Sequence, residues 1–171
     1  MIQPTDSFEE IDSAVVRFAG DSGDGMQTVG ERFTDSSAFA GNDIATLPDF
    51  PAEIRAPAGT LAGVSGFQLQ FGNTKILTPG DEPDALVAMN PAALKSNIGD
   101  LPEGGMLVVN IDSFKSMNLK KAGYESNPLD DEEFRKKYHL IELDLTGLTK
   151  EALKESPLKP SDKVRCKNFF A

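Results

Sequence analysis

A glycine-rich stretch near the N-terminus carries the residues that most resemble a ligand-binding loop. In "AGDSGDGMQTVGERF" (19–33), Gly20, Gly23 and Gly25 follow an apolar run and precede a pattern typical of a helix. Phosphate-binding loops commonly join a strand to a helix in this way, because the amide groups at a helix N-terminus attract anions. The stretch raises the question of whether it binds a phosphate.

Spacing and charge both argue against phosphate at this loop. A dinucleotide fingerprint reads G-x-G-x-x-G, whereas these glycines read G-x-x-G-x-G, and the Gly-Lys-Ser/Thr ending of a Walker loop is absent. Asp24 stands where it caps the following helix, and a diphosphate beside Asp21 and Asp24 meets like-charge repulsion. We therefore favour a structural turn or a protein-contact loop that presents Asp21 and Ser22 to a neighbouring domain.

Arg55 is a second candidate for a binding residue. It lies in the Pro- and Gly-rich stretch "LPDFPAEIRAPAGTLAGVSGFQLQFG" (47–72). About the first 16 residues of this stretch show no regular helix or strand pattern. Arg55 is the only cation between Arg32 and Lys75, and its planar guanidinium suits a phosphate or a carboxylate equally. Three roles remain open: an anion ligand, a pair across a subunit interface, or a surface pair with Glu53.

Other residues of chemically useful type have simpler explanations. Asn90 precedes Pro91 and fits a helix N-cap, although it also follows a buried strand, where ligands of α/β proteins bind. His139 lies between a helical and a strand pattern, which indicates a surface or capping residue rather than a base. Cys166 lies on the last helical pattern and is expected in the core.

Composition narrows the function classes. The net charge of −10 disfavours nucleic acid and anionic lipid as partners, and no apolar run approaches the length of a membrane span. One cysteine and one histidine exclude an internal disulfide, a cysteine-ligated cluster and a multi-histidine metal site within this chain. These counts lead us to expect no metal site. The polar, acidic first residues are not a secretory signal, so we expect a cytoplasmic location.

Hydrophobic periodicity predicts alternating strands and helices. Strands are expected at 13–20, 84–90, 106–112 and 140–145, and the main helix at 25–41, with Met26, Val29, Phe33, Ser37 and Ala40 on its buried face. Gly41-Asn42 is a typical C-terminal stop for that helix. Residues 64–78 are predicted to form an antiparallel hairpin turning at Gly72-Asn73.

These elements predict an α/β fold with three layers, α/β/α, around a mostly parallel, mixed sheet that includes one hairpin. Residues 1–12 are expected to be a tail and residues 13–171 one domain. The apolar ending Phe169-Phe170-Ala171 predicts that this domain continues into a longer subunit.

Several long blocks resemble one family. They are "RFAGDSGDGMQTVGERF", "NDIATLPDFPAEIRAPAGTLAGVSGFQLQFG", "ILTPGDEPDALVAMNPAALKSNI" and "VRCKNFFA". Together they resemble the gamma-type N-terminal domain of the alpha subunit of 2-oxoacid:acceptor oxidoreductases, most closely those acting on 2-oxoglutarate with ferredoxin. The resemblance covers roughly residues 13 to 171.

The resemblance implies a reaction and a set of partners. The reaction converts 2-oxoglutarate, coenzyme A and oxidised ferredoxin to succinyl-CoA, carbon dioxide and reduced ferredoxin. The holoenzyme uses thiamine diphosphate, Mg2+ and a [4Fe–4S] cluster, with coenzyme A as a substrate. The expected partners are the remainder of the alpha subunit, the beta subunit and, through the holoenzyme, ferredoxin.

The chain departs from complete alpha subunits, because no Tyr-Pro-Ile-Thr-Pro type motif of a thiamine-pyrimidine domain occurs in it. We expect no catalytic residue here, no cofactor bound by this chain alone, and no activity of the chain by itself. Its expected role is subunit assembly and closure over coenzyme A. The residues expected at the coenzyme A site or at an interface are Asp21, Ser22, Gly23, Asp24, Gly25, Arg55 and Asn90. A pyruvate-using enzyme and a non-catalytic α/β binding or scaffold module are the alternatives.

Overall fold

A computed structural model describes residues 11–21, 23–50 and 63–167. The described strands are β1 (Ser13–Asp21), β2 (Asp43–Asp49), β3 (Val64–Gly72), β4 (Ala85–Ala88), β5 (Met106–Asn110) and β6 (His139–Leu143). The described helices are α1 (Met26–Phe39), α2 (Pro91–Asn97), α3 (Ser116–Lys121), α4 (Glu132–Lys137), α5 (Leu145–Ala152) and α6 (Pro160–Arg165). None of these helices is long and apolar enough to cross a bilayer.

The strands form one mixed sheet in the order β2-β3-β1-β4-β5-β6. Strands β1, β4, β5 and β6 pair in parallel, and β3 pairs antiparallel with both β1 and β2. Three of the five pairings are therefore parallel, and the predicted mostly parallel, mixed sheet is confirmed. Because β3 runs against both of its neighbours, β1 and β2 end at the same edge as β4 and β5.

Two hydrophobic clusters, one on each face, make the sheet the middle of three layers. Met26 and Val29 of α1, together with Leu145 of α5, pack on one face against apolar side chains such as Phe18 and Leu69. Residues of α2 and α3 pack on the other face, where Leu86 and Leu107 are completely buried. The apolar runs of β4 and β5 are explained by this burial on both faces, since such strands cannot alternate polar and apolar residues. The predicted three-layer α/β/α architecture is confirmed.

The predicted hairpin over 64–78 is wrong. Its first half is β3, but the antiparallel partner of β3 on the outer side is β2, with Asp43 opposite Gly72. The residues after Gly72 leave the sheet and return over it, where the Gln68 side-chain amide donates to the carbonyls of Pro79 and Gly80 at 3.1 and 2.6 Å. The Gly-Asn pair is thus the exit from a strand rather than a tight turn between two strands.

The main helix begins one residue later than the sequence predicts, and its cap is different. The N-cap is Gly25, whose φ of 74° is left-handed and whose lack of a side chain leaves the first turn without a side-chain cap. Asp24 is therefore not the N-cap. At the other end Gly41 has a φ of 91° and the Asn42 amide bonds back to Ser37, so the predicted stop is confirmed. Ala40 is exposed rather than buried.

The two single-copy residues lie away from the core. His139 is the exposed first residue of β6 and follows α4 closely, as the surface prediction requires. Cys166 is only half-buried, with its thiol 3.5 Å from the Asp162 carbonyl, so the prediction of a core cysteine is wrong.

Candidate functional site

A cleft of about 640 Å³ opens at the edge where the parallel strands end. Asp21 ends β1, Asn90 follows β4, and Ser113 lies shortly after β5, and all three line the cleft. The remaining polar lining comes from Asn118 and Lys121 of α3 and from Lys167, just beyond α6. Ligands of open α/β sheets bind at this edge, outside the carboxyl ends of the strands. The fold therefore brings the predicted Asp21, Asp24 and Asn90 together.

The carboxylate of Asp24 is the centre of the cleft's hydrogen-bond network. Its Oδ2 accepts from the backbone amide of Asp21 at 3.0 Å and from the side-chain amide of Asn90 at 3.2 Å. Its Oδ1 pairs with the Lys167 ammonium at 2.8 Å. The Asp24 amide in turn donates to the Asp21 carbonyl at 2.8 Å, which closes the turn that precedes α1. One side chain thus joins the β1–α1 turn, the start of α2 and the residue after α6.

Asn90 has the N-cap role that the sequence predicted, and its side chain also takes part in the cleft network. Its Oδ1 accepts from the Ala93 amide at 2.9 Å, so Asn90 is the N-cap of α2, with Pro91 in the first turn. Its Nδ2 is then free to donate to Asp24. The helix cap therefore fixes the direction in which Asn90 holds the glycine turn.

Lys167 and Lys121 are lining residues that sequence reasoning missed. The side chains of the Lys167–Asp24 pair are mostly buried, with 21% and 13% of their surfaces exposed, which makes it the least exposed ion pair of the described residues. Neither lysine follows a motif, and α3 itself was not predicted. Lys167 does lie in the block "VRCKNFFA", one of those that resemble the family. Its place in that block was the only feature of the sequence that could have pointed to it.

Asp21 is the carboxylate of the cleft whose negative charge is less well stabilised by its surroundings. Desolvation by the surrounding protein and then the charge of Asp24 raise its pKa above 3.8, while hydrogen bonding from Asn90 and the charges of Lys167 and Lys121 lower it in part. The ionised form of Asp21 therefore costs the fold stability at neutral pH. Groups held in unfavourable electrostatic surroundings in a cleft are typical of functional sites.

The donors of this chain do not fit the redox cofactors implied by the resemblance. A [4Fe–4S] cluster needs four thiolates, and the chain has one cysteine. No group of three His, Cys, Asp or Glu side chains suited to a metal ion occurs among residues 11–21, 23–50 and 63–167. A diphosphate bound at the start of α1 meets the carboxylates of Asp21 and Asp24, which lie beside the helix end that would have to hold it. The cleft instead offers two carboxylates, two ammonium groups and amides, which suits hydrogen bonding and ion pairing rather than redox or metal chemistry.

The other predicted residues divide into two groups. Gly25 provides the left-handed residue that starts α1, and Gly23 is exposed, with open space where a Cβ would lie. Ser22 and Arg55 lie outside the described residues. The predicted roles of all seven residues toward coenzyme A or an interface remain predictions.

We predict that Asp24→Ala lowers the free energy of unfolding by about 2–3 kcal/mol, more than the loss of an N-cap, because it leaves Lys167 buried without its charge partner. Urea denaturation measures this. Asp35→Ala is the matched control: its pair with Arg32 has both side chains about 70% exposed, and its loss should cost less than about 0.5 kcal/mol. Equal effects of the two substitutions would contradict the central role of Asp24.

We predict that Asp21→Asn raises the melting temperature at neutral pH. A carboxyl whose folded pKa is raised above its unfolded value stabilises the fold only while protonated, and that contribution is lost as pH rises from about the unfolded pKa through the folded pKa. The advantage of the amide should therefore shrink as the pH is lowered toward 3.8 and below. Melting curves of both proteins across that range test the prediction, and a constant difference at every pH would refute it.

Comparison with known proteins identifies the family. The family model for pyruvate ferredoxin/flavodoxin oxidoreductases matches residues 15–171. The chain is 55% identical over 163 residues to the 2-oxoglutarate oxidoreductase subunit KorA of Mycobacterium tuberculosis (strain H37Rv). That match covers 95% of this chain and 25% of the relative, so the chain spans about a quarter of the length of the curated relative.

Solved structures share the fold. A 2-oxoglutarate:ferredoxin oxidoreductase from Magnetococcus marinus matches with a TM-score of 0.66 and 22% identity, over 93% of this chain and 23% of that one. The gamma subunit of a keto/oxoacid ferredoxin oxidoreductase from Geobacter sulfurreducens matches at 0.57 and 18% identity, over 91% and 70% of the two chains. The pyruvate oxidoreductase subunit PORC from Thermotoga maritima matches at 0.53 and 15% identity, over 90% and 82%. With the family model spanning almost the whole described sheet and its helices, the chain belongs to the pyruvate ferredoxin/flavodoxin oxidoreductase family.

Proposed function

We propose that this chain is the gamma-type domain of a cytoplasmic 2-oxoglutarate:ferredoxin oxidoreductase. The assembled enzyme converts 2-oxoglutarate, coenzyme A and oxidised ferredoxin to succinyl-CoA, carbon dioxide and reduced ferredoxin. Residues 13–171 form the domain, which acts with the remainder of an alpha subunit and with a beta subunit. The observation that carries this proposal is the 55% identity to a 2-oxoglutarate oxidoreductase subunit over 95% of the chain.

The lengths of the relatives support a modular role. The fold makes up about a quarter of two of the matched chains, but 70% and 82% of two others. It therefore occurs both as one domain of a long chain and as most of a separate chain. A unit that is used in both ways must dock on its neighbours through surfaces of its own, which is the assembly role that we propose.

The proposed role of the cleft is to receive a neighbouring group when the enzyme closes over coenzyme A. Lys121 lines the cleft and has no hydrogen bond to another described residue, whereas Lys167 is already paired with Asp24. Lys121 is therefore the ammonium group available to an incoming phosphate or carboxylate. Asp21 suits a hydrogen-bond donor or a cation, since either would stabilise its ionised form. Asp24, Gly25 and Asn90 hold the turn that presents Asp21 and Gly23.

The redox centres belong to other parts of the assembly in this proposal. Thiamine diphosphate with Mg2+ would supply carbanion stabilisation for the 2-oxoacid chemistry, and the iron–sulfur cluster would supply one-electron transfer. The donor set of this chain suits neither group, so the proposed contribution is positioning and enclosure. Arg55 remains a proposed contact to coenzyme A or to a carboxylate of the next domain.

Two alternatives differ in what they require. A pyruvate-using enzyme would have the same fold and cleft, and only the substrate preference of the assembly separates it. A non-catalytic binding module would bind its ligand without the other subunits, whereas a scaffold module would only fix the contacts between them. A flavin-binding version of the binding module would be yellow by itself, whereas the proposed domain is colourless.

We expect the full-length subunit, purified with its partner subunit, to reduce a viologen dye only when 2-oxoglutarate and coenzyme A are both supplied. The 171-residue chain alone should give no reduction, because one cysteine cannot hold the cluster. Steady-state rates with 2-oxoglutarate and with pyruvate measure the preference. Activity of the chain alone would refute the proposal, and higher kcat/KM for pyruvate would reassign the substrate.

We expect Lys121→Ala in the assembled enzyme to raise the Michaelis constant for coenzyme A about tenfold, the usual effect of losing one charge-assisted contact. The constant for 2-oxoglutarate should not change. Lys120→Ala is the matched control, because Lys120 is the exposed neighbour on α3 and does not line the cleft.

The same variant separates the two roles of the cleft. Weaker subunit assembly, with normal coenzyme A dependence of the enzyme that does assemble, would assign Lys121 to an interface, and no change in either would remove it from the site. Arg55→Ala, assayed in parallel, decides between the same two roles for Arg55.

A further inference from the structure

The edge strand β2 exposes apolar side chains on a surface away from the cleft. Leu47 is 52% exposed and Phe50, just after the strand, is 68% exposed, with Pro48 between them also exposed. Pro48 cannot donate a backbone hydrogen bond, which limits simple strand addition along this edge. Leu47, Pro48 and Phe50 together form an apolar ridge, which we call the β2 ridge.

Two clefts of about 370 Å³ each flank the β2 ridge. One lies between β2 and α2, with Gly66 and Gln68 of the sheet among its lining residues. The other lies between β2 and α1, lined partly by Thr34 and Thr46. Pro48 borders both clefts, so a partner that covers the ridge can place one side chain in each.

The charges around these clefts are predominantly acidic. The first cleft contains Asp49, Asp100 and Arg17, but the Arg17 guanidinium is occupied by Gln68, at 2.7 Å, and by Asp100. Asp49 has no ion pair with any residue in the described ranges 11–21, 23–50 and 63–167. In the second cleft Asp35 pairs with Arg32.

Glu31 is the carboxylate left over in the second cleft, since it has no ion pair with another described residue. Each side of the β2 ridge therefore carries one exposed carboxylate that no described residue pairs with, Glu31 on one side and Asp49 on the other. An apolar strip bordered by acidic clefts is complementary to an apolar segment that carries basic residues.

We propose that the β2 ridge is a docking surface for a segment of another part of the assembled oxidoreductase, with an apolar strip flanked by lysine or arginine side chains. The cations enter the two clefts and pair with Glu31 and Asp49. A second copy of this chain is a poor occupant, because it would bring the same acidic rims, and the whole chain has a net charge of −10. The assembly partner rests on the proposed function, whereas the ridge and its charges do not.

Zero-length carbodiimide coupling tests this surface in the assembled, full-length enzyme, because it joins a carboxylate only to a lysine in direct contact. We expect Glu31 and Asp49 to couple to lysines outside residues 1–171, and 1 M salt applied during coupling to lower the yield by screening. Glu125 and Glu155 are the reference carboxylates, exposed but distant from β2 in the sequence, and should not couple. Mass spectrometry of a mixture of 14N- and 15N-labelled enzyme separates contacts within one subunit from contacts between copies.

Charge reversal gives an independent measurement. The double variant Glu31→Lys, Asp49→Lys should weaken assembly or lower the melting temperature of the assembled enzyme, whereas Glu125→Lys, Glu155→Lys, with the same change in net charge, should not. Coupling only to residues 1–171 of the same subunit, or only to those of a second copy, would overturn the proposal. So would absence of coupling together with equal behaviour of both double variants.

The two proposals can fail separately. Coupling as expected in an assembly that does not oxidise 2-oxoglutarate would leave the docking surface in place and refute the proposed function. Normal 2-oxoglutarate oxidation, with no coupling at Glu31 and Asp49 and equal behaviour of the two double variants, would refute the docking surface and leave the proposed function in place.

Discussion

The shape of the cleft depends on one carboxylate, that of Asp24, which joins parts of the chain that are far apart in sequence. It binds the turn after β1 through Asp21, the start of α2 through Asn90 and the region after α6 through Lys167. A mostly buried ion pair contributes little net stability, because desolvation offsets most of the attraction. Its contribution here is geometric: alternative positions of the turn or of Lys167 would leave a buried charge unpaired.

Local sequence patterns were sufficient to predict the strands inside the sheet, but they were insufficient to predict the edge strand β2. Strands β4 and β5 are apolar runs followed by helix or turn signals, so burial on both faces could be read directly from the sequence. Strand β2 is exposed over most of its length and contains Pro48, and both features are typical of a loop. What makes it a strand is pairing with β3, a contact between segments that no local pattern encodes. The same contact removed the predicted hairpin, since β3 was already paired on both sides.

The site was predictable where a residue's role is local and not where it is set by tertiary contacts. Asn90 as a cap follows from its place before Pro91, and Gly41 as a helix stop follows from its place after the apolar stripe. Asp24 matched the local pattern of an N-cap equally well, but Gly25 takes the cap position and frees the Asp24 side chain for distant partners. Lys167 reaches the cleft because α6 brings it back to the first turn, a distance of more than 140 positions along the chain. Arg55, the cation that sequence reasoning selected, lies outside the described residues.

The cleft and the β2 ridge share a physical support, the first turn of α1. Strands β1 and β2 end at the same edge of the sheet, and Gln27 is the second residue of α1, which directly follows Asp24 and Gly25 of the glycine turn. Its side-chain amide donates to the carbonyl of Asp49, at the end of β2, and to that of Gly66 in β3, at 3.0 and 2.8 Å. The glycine turn and the end of the β2 ridge are therefore fixed to the same helical turn. Because both are tied to this one turn of α1, the position of the cleft relative to the end of the β2 ridge is set by hydrogen bonds within the fold.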